Sequence, residues 1–293
     1  MTYHDLAVAA RATLERAGIV PEIARLDADL LARHALAWDH ATWLTRRHDE
    51  ASDDFGRRYT ALIQRREARE PIAYIRGVQE FWGREFIVSP SVLIPRPETE
   101  FLIEIARPLL TSRSDPIVAD IGTGSGCLAV TLALEHPRIT VYATDVSSAA
   151  LDVARENARR FDVGGRIRFI HGRYLDDVPA PVDVIVSNPP YVRLEEEVAL
   201  PPEVRRYEPA GALFAGEDGL RDLRAILRGS PDALAPGGTL AFEIGLGQSA
   251  DVLRELQLVE GLELVAVQND LQGIPRVVVA RRHNRATPSL RTL

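Results

Sequence analysis

The spacing of apolar residues changes character partway along the chain. From residue 2 to about residue 70, apolar side chains recur every three or four positions among Ala, Arg and Glu, with few glycines or β-branched runs. Leu6, Ala10, Leu14 and Ala17 fall on one helical face, and Gly18 is a natural stop. Asp27 reads as the opening of a second helix through Leu30, Leu31, His34 and Leu36. A third runs from about residue 53 to 69 with Phe55, Tyr59, Leu62 and Ile63 on one face, and Pro71 ends it. The pattern predicts a small helical bundle over residues 1–72. His34, His40 and His48 are irregularly spaced within it, which suits surface or capping positions better than metal ligation.

Next comes a stretch of alternating residues around Gly83, which predicts a β-hairpin within a linker over 73–95. Pro97, with Glu98 and Glu100 in the first turn, marks the start of another helix and of a domain over 96–283. Beyond it the apolar residues gather into short runs. The run 117–121 reads as a strand, followed by a glycine-rich turn over 122–126 and a helix from 127 to about 135. Further strands are expected at 139–144, 166–170, 182–186 and 239–244, with a helix over 147–160. A closing antiparallel pair is expected from 262–267 and 275–280, and the last ten residues, 284–293, read as a tail. Strand, glycine turn and helix in that order form the first unit of a doubly wound α/β fold.

Three stretches in this domain carry chemistry. Gly122-Thr123-Gly124-Ser125-Gly126 lets the backbone approach a ligand closely. No Gly-Lys-Ser/Thr follows, so it is not a phosphate loop, and its spacing differs from the dinucleotide pattern Gly-x-Gly-x-x-Gly. Asp145 closes the second strand, where an acid grips ribose hydroxyls, although it also suits a cap on the next helix. Tyr174, beyond the third strand, offers a ring for stacking on adenine, while the nearby His171 reads as structural. Asn188-Pro189-Pro190-Tyr191 follows the fourth strand. Its prolines end the ladder, and its Asn amide both donates and accepts at the end of the sheet where ligands bind.

Composition narrows the setting. The 293 residues accommodate one large domain and one small one, and 46% hydrophobic with 26% charged content is that of a soluble globular chain. No apolar run approaches the ~18 residues that cross a bilayer, and Met1-Thr2-Tyr3-His4-Asp5 lacks the start of a signal peptide. A single cysteine, Cys127, excludes an internal disulfide framework and fits a reducing compartment, so a cytoplasmic location is expected. The net charge of −7 argues against stable nucleic-acid binding. All 35 basic residues are Arg, which reads as coding bias of a GC-rich genome. Nothing suggests an obligate oligomer, so a monomer is expected.

Taken together, the strand ending in Asp120, the Gly-x-Gly-x-Gly turn, Asp145 and Asn-Pro-Pro-Tyr resemble class I methyltransferases that use S-adenosylmethionine on planar nitrogens. Arg-Gly-x-x-Glu-Phe-Trp-Gly at 76–83, Ile-Pro-Arg-Pro-Glu-Thr-Glu at 94–100, Tyr-Glu-Pro at 207–209 and Leu-Phe-Ala-Gly-Glu-Asp-Gly-Leu at 213–220 resemble the HemK/PrmC family more narrowly. The resemblance implies a Rossmann-like, mostly parallel seven-stranded sheet, with the amino-terminal bundle serving substrate recognition. It implies methyl transfer from S-adenosylmethionine, leaving S-adenosylhomocysteine, to the glutamine amide of the Gly-Gly-Gln motif in class 1 peptide chain release factors, without a metal. The cofactor would be held by Gly122, Thr123, Gly124, Ser125, Gly126, Asp145, Tyr174 and Asn188. The substrate amide would be clamped by Asn188, Pro189, Pro190 and Tyr191, with Asn188, Pro189 and Tyr191 in the catalytic role. In that scheme the Asn188 side-chain oxygen and the Pro189 carbonyl each accept one amide hydrogen, Tyr191 packs on the flat amide, and no general base is needed before attack. Relatives commonly carry an acid where this chain has Arg173. Two other readings remain open at this point: a nucleic-acid amino (adenine or guanine) methyltransferase, and a non-catalytic binding module that keeps S-adenosylmethionine as a structural ligand.

Overall fold

The structure, a computed structural model, describes residues 1–284. All but the first residue of the tail expected over 284–293 therefore lies outside the described residues. The chain divides into two compact units. The first comprises Met1–Val78 joined by Pro201–Tyr207, and the second comprises Gln79–Leu200 with the chain from Glu208 onward. The division differs from the expected 1–72, 73–95 and 96–283. The hairpin goes with the second unit, and seven residues from far along the chain go with the first.

The first unit contains helices α1 (Tyr3–Arg16), α2 (Pro21–Leu36), α3 (His40–Arg46), α4 (Asp53–Glu67) and α5 (Ile72–Arg76). Short polar side chains begin three of them: Thr2 and Asp5 form a capping box, and Asp39 and Ser52 cap α3 and α4. Leu14, Leu31, Trp43 and Phe55 are fully buried at its centre. Asp27 does not open α2. That helix starts at Pro21, whose missing N–H costs nothing in the first turn, and Asp27 lies inside it, buried against Arg66. Arg66 also donates to Glu203, as does Arg69, and the Tyr207 hydroxyl donates to the Ala68 carbonyl. These bonds account for the place of Pro201–Tyr207 in this unit.

The second unit opens with the hairpin β1 (Val78–Phe81) and β2 (Arg84–Ile87), whose first residue still belongs to the first unit. Then follow α6 (Glu100–Thr111), β3 (Ile117–Ile121), α7 (Cys127–Glu135), β4 (Thr140–Asp145), α8 (Ser148–Arg160), β5 (Ile167–His171) and β6 (Val182–Ser187). After the excursion that holds α9 (Pro202–Tyr207) come α10 (Arg221–Ala233), β7 (Leu234–Glu243), α11 (Ser249–Gln257), β8 (Leu262–Asn269) and β9 (Pro275–Arg282). Seven strands form one sheet in the order β5-β4-β3-β6-β7-β9-β8, parallel except for β9, which runs antiparallel to both its neighbours. The expected Rossmann-like architecture is the observed one.

Side chains alternate between the two faces of this sheet, and both faces are covered. Val118, Val186, Ala241 and Val277 join one buried cluster, and Ala119, Ile185, Phe242 and Val278 join the other. That is why the central strands read as unbroken apolar runs. The chain order reverses between β3 and β6, the place where open α/β sheets take their ligands. Ile121 pairs with both Thr144 and Ser187, so Gly122, Asp145 and Asn188 leave three adjacent strands at the same edge.

Candidate active site

At that edge lies a cavity lined by the glycine turn, Asp145, Tyr174 and the Asn-Pro-Pro segment. The turn is shaped by backbone bonds. Gly122 and Thr123 donate to the Thr144 carbonyl at 2.9 Å, and Gly124 donates to Asp145 Oδ2 at 2.9 Å. Gly122 and Gly124 have φ of 72° and 54°, which a side chain resists. A Cβ built on Gly122 would meet nothing within 4 Å, so the surface above the turn is open to a ligand. Gly126 has a different role. It does not line the cavity, and a Cβ there would come within 3.0 Å of Ala154 Cβ, so it lets α7 lie close to α8.

Asp145 is not the cap of α8, because Ser147 fills that position. Its Oδ1 accepts from Ser147 N at 2.9 Å while Oδ2 holds the glycine turn. Burial pushes its carboxyl above the ordinary range, opposed by the N–H groups of Ser147, Gly124 and Val146. Beneath it, Asp120 is 0% exposed, and burial pushes its carboxyl up to about 7. Asp120 Oδ2 accepts from Thr123 Oγ1 and Ala129 N, whereas Oδ1 has no partner among the described residues. Asp145 lines the cavity, whereas Asp120 lies buried behind the glycine turn and does not.

Tyr174 lines the cavity with φ of 46°, its carbonyl accepting from Thr144 Oγ1 and its hydroxyl donating to Asp222 Oδ1 at 2.8 Å. Burial, then the Asp222 carboxylate, raises its phenol. Arg173 is exposed and does not line the cavity.

Asn188, Pro189 and Pro190 line the opposite wall. Asn188 Nδ2 donates to Thr99 Oγ1 at 2.9 Å, and Asn188 Oδ1 is buried with no partner among the described residues. Thr99 in turn donates to Glu243 Oε2 at 2.7 Å. Tyr191 is not among the lining residues. Its hydroxyl donates to Glu243 Oε1 at 3.2 Å, and its carbonyl accepts from Gln248 Nε2 at 2.9 Å. Burial, followed by the Glu243 charge, pushes its phenol well above the ordinary range. Asn188, Pro189 and Pro190 therefore meet the cofactor residues at one cavity, while Tyr191 stands behind them.

Several residues that hold this site were not singled out from the sequence. Thr99 sits in the Ile-Pro-Arg-Pro-Glu-Thr-Glu stretch and Glu243 at the end of an apolar strand, where a buried acid is itself a signal. Asn157 donates to the Ser125 and Ile87 carbonyls and accepts from Ile87 N, tying β2 and α8 to the glycine turn. Glu208, of the Tyr-Glu-Pro stretch, accepts from Arg96 and from Ile94 N. The 213–220 stretch pairs with the residue after Asn-Pro-Pro-Tyr through Val192 N to the Leu213 carbonyl and Ala215 N to the Val192 carbonyl. Gly219, at φ of 73°, passes so near Tyr191 that a Cβ would lie 2.5 Å from its carbonyl oxygen. Among the described residues, no group of three or more His, Cys, Asp or Glu side chains is placed to hold a metal ion, and no helix is long and apolar enough to cross a membrane.

The chain is similar to known proteins. The family model for the PrmC N-terminal domain matches residues 5–77, and that for the methyltransferase small domain matches residues 98–200. The release factor glutamine methyltransferase of Cereibacter sphaeroides is 45% identical over 279 residues, 94% of this chain and 97% of that protein. That of Neisseria gonorrhoeae is 41% identical over 263 residues, 89% of this chain and 94% of its own. Among solved structures, the hMettl16 catalytic domain in complex with the MAT2A 3′UTR hairpin 6 superposes with a TM-score of 0.54 at 16% identity. It covers 78% of this chain and 92% of that one, a likeness of fold alone. Sequence identity sustained across both the helical region and the methyltransferase domain shows that the chain belongs to the release factor glutamine methyltransferase family.

Proposed function

We propose that the protein transfers a methyl group from S-adenosylmethionine to the side-chain amide nitrogen of the glutamine in the Gly-Gly-Gln motif of class 1 peptide chain release factors. The observation that carries this reading is the state of Asn188: its donor is committed to Thr99, and its acceptor is buried beside the cavity without a partner among the described residues. A buried carbonyl oxygen without a donor costs about 1–3 kcal/mol, and a substrate NH₂ relieves that cost. The names of the curated relatives support glutamine as the bearer of that NH₂.

S-adenosylmethionine, when bound, supplies a sulfonium methyl that leaves its bonding pair on sulfur as the substrate nitrogen takes the carbon. The open face over Gly122 and Gly124, the carboxyl of Asp145 and the ring of Tyr174 suit a nucleoside of this kind. Asn188 Oδ1 and the Pro189 carbonyl then each accept one N–H of the substrate amide, which orients a nitrogen whose lone pair is delocalised into its own carbonyl. Orientation of this kind is worth up to roughly 7–11 kcal/mol of barrier in favourable cases. No residue needs to remove a proton first, since the amide proton leaves to water after transfer. Pro190 holds the clamp stiff, and Tyr191 acts from behind it. A cytoplasmic, monomeric enzyme goes with this reading.

Incubation with methyl-labelled S-adenosylmethionine and either a class 1 release factor or RNA tests it. Label in the Gly-Gly-Gln peptide is the expected result. Label in RNA, or in neither, contradicts it.

A further inference from the structure

We propose that Glu243 is a positioning residue for the transfer, fixing through Thr99 which atom of the Asn188 amide is left for the substrate and holding Tyr191 behind it. The inference rests on the reading above. It is a matter of counting protons. Above about pH 7, where Glu243 is ionised, its carboxylate only accepts, so the single hydroxyl proton of Thr99 goes to Glu243 Oε2, 2.7 Å away. Thr99 Oγ1 can then only accept from Asn188, 2.9 Å away, which requires the NH₂ side of the amide to face it. The carbonyl side is left over, and Asn188 Oδ1 is buried without a partner among the described residues. Turned the other way, Asn188 would present its NH₂ to the substrate NH₂, donor against donor.

The second carboxylate oxygen fixes the far end of the segment. Tyr191 donates its hydroxyl to Glu243 Oε1, while Gln248 holds the Tyr191 carbonyl and is itself fixed by Gly245 N at 2.8 Å. One acid on β7 thus reaches Asn188 through Thr99 and Tyr191 directly. Glu243 is 2% exposed, and its hydrogen-bond partners are two hydroxyls rather than a cation. A carboxylate placed so, at a desolvation cost, calls for a role beyond packing.

Thr99→Val, Thr99→Ser and Glu243→Gln test the relay. Thr99→Val keeps the shape and removes the hydroxyl, so kcat for glutamine methylation falls by roughly 10- to 100-fold, below the ~10²–10³ that loss of a direct transition-state hydrogen bond costs. The affinity for S-adenosylmethionine by calorimetry stays within about twofold, since Thr99 is one wall residue of the cavity among many and the substitution keeps its shape. Thr99→Ser keeps the hydroxyl and restores most of the lost rate. Glu243→Gln lets an NH₂ face Thr99 in one of its two orientations, so its kcat falls as well, by less than that of Thr99→Val. The proposal is overturned if Thr99→Ser is as slow as Thr99→Val, or if Glu243→Gln keeps the wild-type kcat. The second comparison decides the matter should Thr99→Val lose cofactor binding. A wild-type enzyme that labels no glutamine defeats the functional reading instead, so the two failures are distinct.

Discussion

Replacing Asn188 with alanine removes one buried acceptor and one donor, and the consequences for stability and for rate separate. Among the described residues the side chain makes one bond, to Thr99 at 2.9 Å, and leaves Oδ1 buried without a partner. Loss of the bond costs about 1 kcal/mol, and loss of the unpaired acceptor returns about as much, so stability changes little. The rate responds differently. An acceptor already withdrawn from water needs no reorganisation when a substrate N–H reaches it, and removing one such preorganised group typically lowers kcat by about 10²–10³, or ~2.7–4 kcal/mol. Asn188 is one residue among many that line the cavity, so cofactor affinity changes far less. The assay is single-turnover transfer of labelled methyl to a release factor, with cofactor affinity by calorimetry and a thermal melt alongside. A variant of Asn188→Ala that keeps kcat within about threefold of wild type, with intact cofactor binding, refutes the role given to this amide.

Asp145→Ala removes the acceptor for both Gly124 N and Ser147 N and an acid that lines the cavity, so S-adenosylmethionine affinity is expected to fall by roughly 10- to 100-fold; unchanged affinity by calorimetry contradicts it. Gly219→Ala sets a Cβ 2.5 Å from the Tyr191 carbonyl at a φ of 73°, and both melting temperature and kcat fall; a variant with wild-type values in both argues that Tyr191 is not held there. Burial pushes Glu243 from 4.5 up to about 7, with Thr99, Tyr191 and Arg276 opposing the rise and Glu98 adding to it. Because the folded form holds its proton more tightly, the stability this provides is present below about 4.5 and is lost as pH rises to about 7, on the order of 3 kcal/mol. Glu243→Gln therefore flattens the dependence of unfolding free energy on pH across that window; parallel profiles for the two proteins contradict the assignment.

Where local pattern and tertiary role coincide, the sequence carries the structure. The central strands are buried on both faces, so their apolar runs and the glycine turn between β3 and α7 can be read directly. Asp27 misleads because an acid near the start of a helical pattern looks the same whether it caps the helix or meets a distant arginine, here Arg66. The strand expected from 239 begins at Leu234, since β7 continues through Pro236-Gly237-Gly238 with a register shift against β6. In the site, Gly122, Gly124, Asp145, Tyr174 and Asn188 were visible as types of residue at strand ends. Gly126 and Tyr191 were visible too, but each faces a neighbouring element rather than the cavity, which no spacing reveals. Thr99 and Glu243 lie 144 residues apart, and only the fold brings that pair together behind Asn188.

The central claim is that this cavity methylates a glutamine amide. Mass spectrometry of the Gly-Gly-Gln peptide, after a class 1 release factor has been incubated with this protein and S-adenosylmethionine, tests it most directly. One added methyl on the glutamine side-chain nitrogen is expected, lost in Asn188→Ala. An unmodified glutamine with a wild-type protein that binds the cofactor contradicts it.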